Sequence, residues 1–327
     1  MKRRAGAQEN LILHGVHITH PDRIVFEDGS LTKGDVARYY AEVAPLLLRD
    51  IKNRPITVVR CPGGIKADCF YQRNVGFGLG QDVYPFHWKY KGSSYKYIYV
   101  NDAKGIMEMI QMGVIEIHPW GATIDNIHMP DRMIFDLDPY SSVAFPLVKK
   151  AAREVRQRLA DAGLESFLKC TGGKGLHVVV PLSPTRSWEE VKGWASALAH
   201  VMVEQTPERY VATITKSKRK GKILIDFFRN DYTATGIASY SLRARPGAPV
   251  AVPMEWRELT MLKAPDQFHM NAVLKRIRSR PLQTMPPNQR LPRAEGERIG
   301  MHGRKRRSLS DGSITRPSTP RRERMAV

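Results

Sequence analysis

Residues 132–140 read RMIFDLDPY, an apolar run that ends in two carboxylates one residue apart. A strand repeats every two residues, so Ile134, Asp136 and Asp138 share one face while Met133, Phe135 and Leu137 share the other. Two like charges held side by side at low dielectric repel strongly, and one protonates unless a cation sits between them. The stretch therefore calls for a sheet with one face in the core and an opposite face that brings a metal ion to its acids. The plainer alternative is that Asp138 only ends a strand before Pro139.

The elements after this strand limit the topology. The pattern reads strand 132–138, helix 143–161, strands 166–170 and 175–181, helix 187–205 and strand 222–228. That order is the split βαβ of ferredoxin-like and RRM-like sheets, in which the first strand is central and flanked by the third and fourth. Asp226, in ILIDFF, would then approach Asp136 and Asp138 from the neighbouring strand, unless it simply forms an ion pair. Three such carboxylates can hold two divalent ions about 3.5–4 Å apart for phosphoryl transfer, and hard oxygen donors suit manganese or magnesium. YVATIT at 210–215 reads as a further short strand able to pair with 222–228 across SKRKGK.

Upstream, Thr32 opens an amphipathic helix, TKGDVARYYAEVAPLLLRDI, with Asp35 completing a capping-box pair. Strands occupy 56–60, 95–100 and 114–118, with a short helix, AKGIMEMIQM, between the last two. The stretch Pro62 to Tyr90, rich in glycine and aromatics, reads as loops. The fold class is α+β: an RRM-like or ferredoxin-like catalytic sheet with an N-terminal α/β lobe packed on it. The boundaries are a basic extension at 1–13, a domain at 14–289 with lobes 14–125 and 126–289, and a basic disordered tail at 290–327.

Charge narrows the partners. The chain carries 52 Lys and Arg against 32 Asp and Glu, a net +20. Residues 290–327 hold eleven basic and four acidic residues, so +13 remains on the body. A polyanion is the natural partner and nucleic acid the first candidate, although a ribosomal or membrane-surface protein shares this composition. No apolar run reaches the length of a membrane span and the basic start leads into no signal-peptide core, which points to the cytoplasm. Cys61, Cys69 and Cys170 lack C-x-x-C spacing and read as reduced core thiols, not zinc ligands.

Three further stretches carry chemistry. KCTGGKGLHVVVP joins two strands through a glycine turn holding Thr171, Gly172 and Lys174, with His177 just inside the next strand. It is not a Walker A loop, because Gly175 stands after Lys174 where Ser or Thr is needed. Its amides, hydroxyl and ammonium can still cradle phosphates, and an ordinary hairpin with one solvated lysine is the alternative. CFYQRN, preceded by Arg60, sets adjacent aromatics beside cations as base stacking requires, while the plainer reading buries Phe70 or Tyr71 in the core. His118 in VIEIHPWG and Arg243 with Arg245 in SLRARPG are weak signals singly.

Together the stretches RMIFDLDP, TGGKGLHVVVP, ILIDFFRND, VIEIHPWGA, SLRARPGAPV and HPDRIVFEDGSLTKGDVARYY resemble the primase-polymerase module of bacterial ligase D proteins, within the archaeo-eukaryotic primase superfamily. The resemblance implies a template-dependent nucleotidyltransferase that fills gaps and extends ends at DNA double-strand breaks in non-homologous end joining. It further implies NTP or dNTP substrates, often ribonucleotides, and two Mn2+ or Mg2+ ions. By the same resemblance Asp136, Asp138 and Asp226 are catalytic metal ligands. His118, Thr171, Gly172, Lys174, His177 and Arg243 surround the nucleotide. Arg60, Phe70, Tyr71 and Arg73 face the template, and Arg23 with Lys33 holds a 5′ phosphate. Double-stranded DNA ends and gaps, Ku protein and a separate ATP-dependent DNA ligase are the implied partners, in the nucleoid-associated cytoplasm with no membrane.

The sequence departs from the family at Thr171, where serine is usual, at Arg23, where lysine is common, and at VFEDGS, which replaces a short link to proline. No K-x-D-G ligase motif occurs, so the chain looks like a free-standing polymerase without ligase or nuclease domains. Two rivals fit less well. A haloacid-dehalogenase-type phosphatase shares D-x-D but needs Thr or Val where Tyr140 stands. A non-catalytic RRM-like nucleic-acid-binding protein needs aromatics on the central strands, where this chain has acids.

Overall fold

The structure is a computed structural model that describes residues 10–28, 31–74, 76, 80–279 and 289–292. The N-terminal half opens with two small antiparallel pairs, β1 (Leu11–Leu13) with β2 (Val16–Ile18) and β3 (Ile24–Phe26) with β4 (Leu31–Thr32). Helix α1 (Lys33–Ile51) comes next. Its first turn is closed as the sequence implied: the Thr32 hydroxyl accepts from the Asp35 amide while the Asp35 carboxylate accepts from the Thr32 amide. Beyond it lie β5 (Ile56–Arg60), β6 (Phe70–Gln72), β7 (Tyr84–Tyr90), β8 (Ser93–Tyr99), α2 (Ala103–Gln111) and β9 (Val114–Pro119). The strands form one sheet in the order β6-β5-β8-β7, with β9 also paired to β5.

Strands β6 and β7 correct the reading of Pro62–Tyr90 as loops. Tyr84, Phe86, Trp88 and Tyr90 alternate with exposed residues along β7, and the rings of Phe86, Trp88 and Tyr90 pack in one cluster with Tyr97, Trp120 and Trp188. Cross-strand aromatic contact supplies the strand with a buried face that the local glycines conceal in the sequence.

The second half runs β10 (Arg132–Pro139), α3 (Phe145–Asp161), β11 (Phe167–Cys170), β12 (Leu176–Pro181), α4 (Trp188–Gln205), β13 (Tyr210–Val211), β14 (Ile223–Asp226), β15 (Val252–Met254) and α5 (Met270–Ser279). The strand order is β13-β14-β10-β12-β11-β15, so the split βαβ arrangement holds and β10 lies between the third and fourth strands of the unit. Met133, Phe135 and Leu137 are fully buried in the same core as Val148, Val155 and Leu159 of α3 and Leu198 of α4. Burial of one face leaves the acids on the other.

The short strand before β14 differs from the expectation for 210–215. Only Tyr210 and Val211 pair, and they run parallel to Ile223 and Leu224. Residues Lys216–Arg219 form a 3-10 turn instead of a hairpin, which carries Arg219 onto Asp138. The ion pair between those charges is absent from any local pattern.

The two halves are stitched together by buried polar groups. The Tyr39 hydroxyl donates to the Tyr240 carbonyl, and the Tyr40 hydroxyl donates to Ile115 O while accepting from the Leu242 amide. Backbone bonds from Gly236 to Pro119 and from Ala238 to Ile117 add this segment to β9. Beneath it, the Asp50 carboxylate of α1 accepts from Arg132 and from the Ser239 amide and lies 3.8 Å from the Lys169 ammonium. Burial alone would raise the Asp50 pKa, but Arg132, Lys169 and the Ser239 amide hold it well below the carboxylate range.

Removing this anion strands two buried cations. Asp50→Ala is expected to lower unfolding free energy by about 3–5 kcal/mol in urea titration, whereas a loss under about 1 kcal/mol would show the cluster to be solvated.

Candidate active site

The register of the second sheet builds the site. Asp136 of β10 lies opposite Asp226 of β14 on one side and opposite His177 of β12 on the other, and His177 is in turn opposite Lys169 of β11. Directly opposed residues share a face, so an acid, an acid, an imidazole and an ammonium line up across four strands. Asp138 stands two residues along β10 on the same face.

Two arginines that the motifs do not single out meet these acids. The Arg229 guanidinium bridges Asp136 at 3.2 Å and Asp226 at 3.3 Å, and Arg219 pairs with Asp138 at 2.5 Å. Their signals lie in ILIDFFRND, where Arg229 stands three residues after Asp226, and in the basic run before β14. His177 Nε2 faces Asp136 at 3.5 Å. Burial lowers the His177 pKa from its ordinary value, with the Asp136 charge working against it. Burial opposes ionisation of Asp136, yet His177 and Arg229 hold its carboxyl well below the ordinary range. Asp226 goes the other way: burial, with the charges of Asp136 and Asp138, outweighs Arg229 and pushes it up to about 6.

Among the described residues no three carboxylate, imidazole or thiol groups converge closely enough to hold a metal ion, because guanidinium groups engage the acids. The chemistry of the donor set still fits a hard divalent cation. Three carboxylates share one sheet face, and repulsion from two of them helps drive the third toward its neutral form, a strain that a cation between them would relieve.

The glycine turn lies beside this row. Thr171 is buried, and its hydroxyl donates to Gly175 O at 2.8 Å, holding the turn closed. Gly172 has φ +64°, and a Cβ there would fall 2.9 Å from the Val250 backbone, so only glycine fits. Its amide donates to Pro265 O, which makes Gly172 a bend and not a free donor. Lys174 is exposed at the tip. Arg243 closes the turn from the side, its Nη1 donating to Thr171 O at 3.4 Å, and the Arg245 guanidinium lies near Gly173. His118 Nε2 donates to Glu116 at 2.9 Å, and its ring centroid is 6.4 Å from that of Tyr71.

Strand β6 presents the aromatic pair. Phe70 is 45% exposed and Tyr71 74%, so the expectation that at least one is buried is corrected. Strand β6 lies at the edge of its sheet, and Arg60 supports the Phe70 ring from 5.5 Å. Arg60 itself is buried, donating to Met112 O and to Gln72, and so braces the platform from below, whereas Arg73 is exposed. Cys61 and Cys69 form a disulfide, which corrects the reading of both as reduced thiols. Because Arg60 opposes Phe70, the next residues outward are Cys61 and Cys69, and the register places them together. Cys170 alone is free among the described residues, and burial pushes its thiol up to about 12.

Arg23 and Lys33 also meet. The Lys33 amide donates to Arg23 O at 2.8 Å, while the buried Lys33 ammonium donates to Gln111 at 2.7 Å and to Thr19 O at 2.9 Å. Arg23 is exposed. Burial and the Arg23 charge lower the Lys33 pKa to about 8.

Two outcomes are expected. Lys33 should titrate near pH 8 in side-chain NMR, and Arg23→Gln should raise that midpoint. Because the fold favours the neutral amine, stability should rise as pH climbs from about 8 toward the ordinary lysine value of 10.5. A midpoint near 10.5 in the folded protein would refute this environment. Alkylation of the denatured chain should modify one cysteine without reductant and three with it, and three without reductant would rule out the Cys61–Cys69 bond.

The sequence model of the family described as LigD, primase-polymerase domain matches residues 32–283. The chain is 34% identical over 263 residues to the multifunctional non-homologous end joining protein LigD of Pseudomonas aeruginosa, covering 80% of this chain and 31% of that one. It is 30% identical over 246 residues to the protein of the same description from Mycolicibacterium smegmatis, covering 75% and 32%. The chain thus spans about a third of the length of these curated relatives. The solved polymerase domain from Mycobacterium tuberculosis ligase D in complex with DNA superposes with a TM-score of 0.75 at 29% identity, covering 81% of this chain and 94% of that one.

Proposed function

Because the chain belongs to the LigD primase-polymerase domain family, we propose that it is a template-dependent polymerase filling gaps and extending ends at DNA double-strand breaks in non-homologous end joining. The family makes it a nucleotidyltransferase of the polymerase type. The observation that carries the fuller reading is the row Asp226, Asp136 and His177, flanked by Asp138 and bordered by the glycine turn. In this reading Asp136, Asp138 and Asp226 would hold two Mn2+ or Mg2+ ions, which when bound would supply acidification of the attacking 3′ hydroxyl and neutralisation of developing phosphate charge. Arg219 and Arg229, which pair with these acids, would be cations at hand for the triphosphate.

The chain's own groups divide the remaining work. Lys174 and Arg243 face the triphosphate, with Thr171 and Gly172 shaping the turn that presents them, and His118 and His177 border the nucleotide. Phe70 and Tyr71 offer faces on which template bases stack, with Arg73 beside them for the backbone. Arg23, aided by Lys33 where that amine is charged, holds the 5′ phosphate of a gap. We extend the proposal to a preference for ribonucleotides, to action beside Ku protein and a separate ATP-dependent ligase, and to a nucleoid-associated cytoplasmic location. Among the described residues no helix is long and apolar enough to cross a membrane. The boundaries at 14–289 remain part of this proposal, and residues 1–9 and 293–327, which include most of the basic tail, lie outside the described residues.

The test is nucleotide incorporation on a gapped duplex carrying a 5′ phosphate, with manganese. Asp138→Ala is expected to lower the rate by about 10²–10³ or more while the melting temperature holds. Lys174→Ala should raise the nucleotide KM with little change in DNA affinity. Near-normal incorporation by the Asp138 variant would overturn the assignment of the acids.

A further inference from the structure

Glu116 is at odds with its surroundings. It is a carboxylate, 5% exposed, on β9, and it lies among the groups assigned to a triphosphate. A fixed negative charge there repels the substrate, so its presence asks for a reason. The contacts supply one. Glu116 Oε2 accepts from His118 Nε2 at 2.9 Å and lies 3.2 Å from Arg243 Nε, while Oε1 accepts from the Ala244 amide at 2.8 Å. Both His118 and Arg243 are groups that the proposed function sets against the nucleotide, and they come from opposite halves of the chain. The sequence pattern VIEIHPWG draws attention to His118 alone, although residues 116 and 118 share a strand face.

We propose that Glu116 is a positioning residue of the nucleotide site, one carboxylate that fixes the His118 ring and the Arg243 guanidinium in the orientation that meets an incoming nucleoside triphosphate. The inference rests on the nucleotide role proposed for this region. Its logic lies in which atoms Glu116 engages. By accepting a hydrogen bond from Nε2–H it sets the His118 tautomer, leaving Nδ1 as an acceptor for a donor on the nucleotide. By facing Arg243 at Nε it leaves the terminal nitrogens to other partners, of which Nη1 reaches Thr171 O at the start of the glycine turn. Nη2 is then directed by a guanidinium placed by the Nη1 bond to Thr171 O and by the Glu116 charge beside Nε, a contact without hydrogen-bond geometry, and it is offered to phosphate oxygen.

The charge is kept on Glu116 by the same contacts. Burial opposes it, but the His118 hydrogen bond, Arg243 and the Ala244 amide hold the carboxyl below its ordinary range. The Ala244 amide also ties β9 to the loop that carries Arg243, so the two nucleotide groups move as one unit. A carboxylate that served only to join the halves would need the Ala244 or Arg243 contact but not the His118 hydrogen bond.

Glu116→Gln separates these roles, because an amide oxygen still accepts from Ala244 while the NH2 opposes both His118 Nε2–H and Arg243 Nε–H. It is expected to move the His118 proton to Nδ1, read as exchanged imidazole nitrogen shifts in 15N NMR. It should also raise the nucleotide KM by about 10- to 100-fold, more than it lowers kcat, with affinity for the gapped duplex unaltered. Should the amide variant not fold, Glu116→Asp, which keeps the charge but shortens its reach, is expected to give a smaller KM rise of the same kind. An unchanged tautomer and unchanged KM, or an equal loss of DNA affinity, would overturn the inference. Arg243→Ala serves as the companion: if it leaves the nucleotide KM unaltered, the nucleotide reading of this region fails first, whatever Glu116 does.

Discussion

Repulsion between carboxylates on adjacent strands is the constraint around which this molecule is arranged. The antiparallel register that sets Asp136 against Asp226 brings two anions together on a half-buried sheet face, with a third two residues away. The fold answers with basic groups: Arg229, three residues after Asp226, spans the first two, Arg219 pairs with the third, and the His177 ring flanks the row. Each answer shapes local structure. The 3-10 turn at Lys216–Arg219 lies where pairing across SKRKGK was expected, and it ends on Arg219, which meets Asp138.

The legible part of the fold is the part governed by short-range rules. Period-two alternation in RMIFDLD, the capping box at Thr32 and the element order of the second half lead directly to the observed sheet, with β10 central and the acid positions on one face. Strands β6 and β7 are not legible, since the partners of the alternating aromatics of β7, Trp120 and Trp188, lie elsewhere in the sequence, and β6 is three residues long and largely exposed. The disulfide is hidden for the same reason. Without β6 opposite β5 nothing places Cys69 beside Cys61, whereas with that register the pair is forced together.

The acids and His177 lie on one sheet face with the glycine turn and Arg243 beside them, a juxtaposition that the motifs name without describing what each group is bound to. Arg60 is charged and near the aromatics, yet its guanidinium is used by Met112 O and Gln72, a fact set by burial and not by residue type. Lys33 likewise sits next to Arg23, but burial against Gln111 and Thr19 weakens its hold on its proton. Residue identity names the available chemistry, while the surroundings decide how much of it is free to act.

The segment 236–242 that lies along β9 carries a consequence for how the molecule is made. The Ile117 amide and the Ser241 hydroxyl that accepts from it are 124 residues apart, and Glu116 reaches Ala244 across 128. During synthesis β9 emerges from the ribosome long before its last partner does, and its outer edge stays open to wrong pairing until a loop of that length closes. Contacts of such high sequence separation form late and slow the search for the native state. The edge of β9 is therefore completed late, and a fragment that ends before Ala244 can contain Asp136, Asp138 and Asp226 while Glu116 still lacks its Ala244 partner.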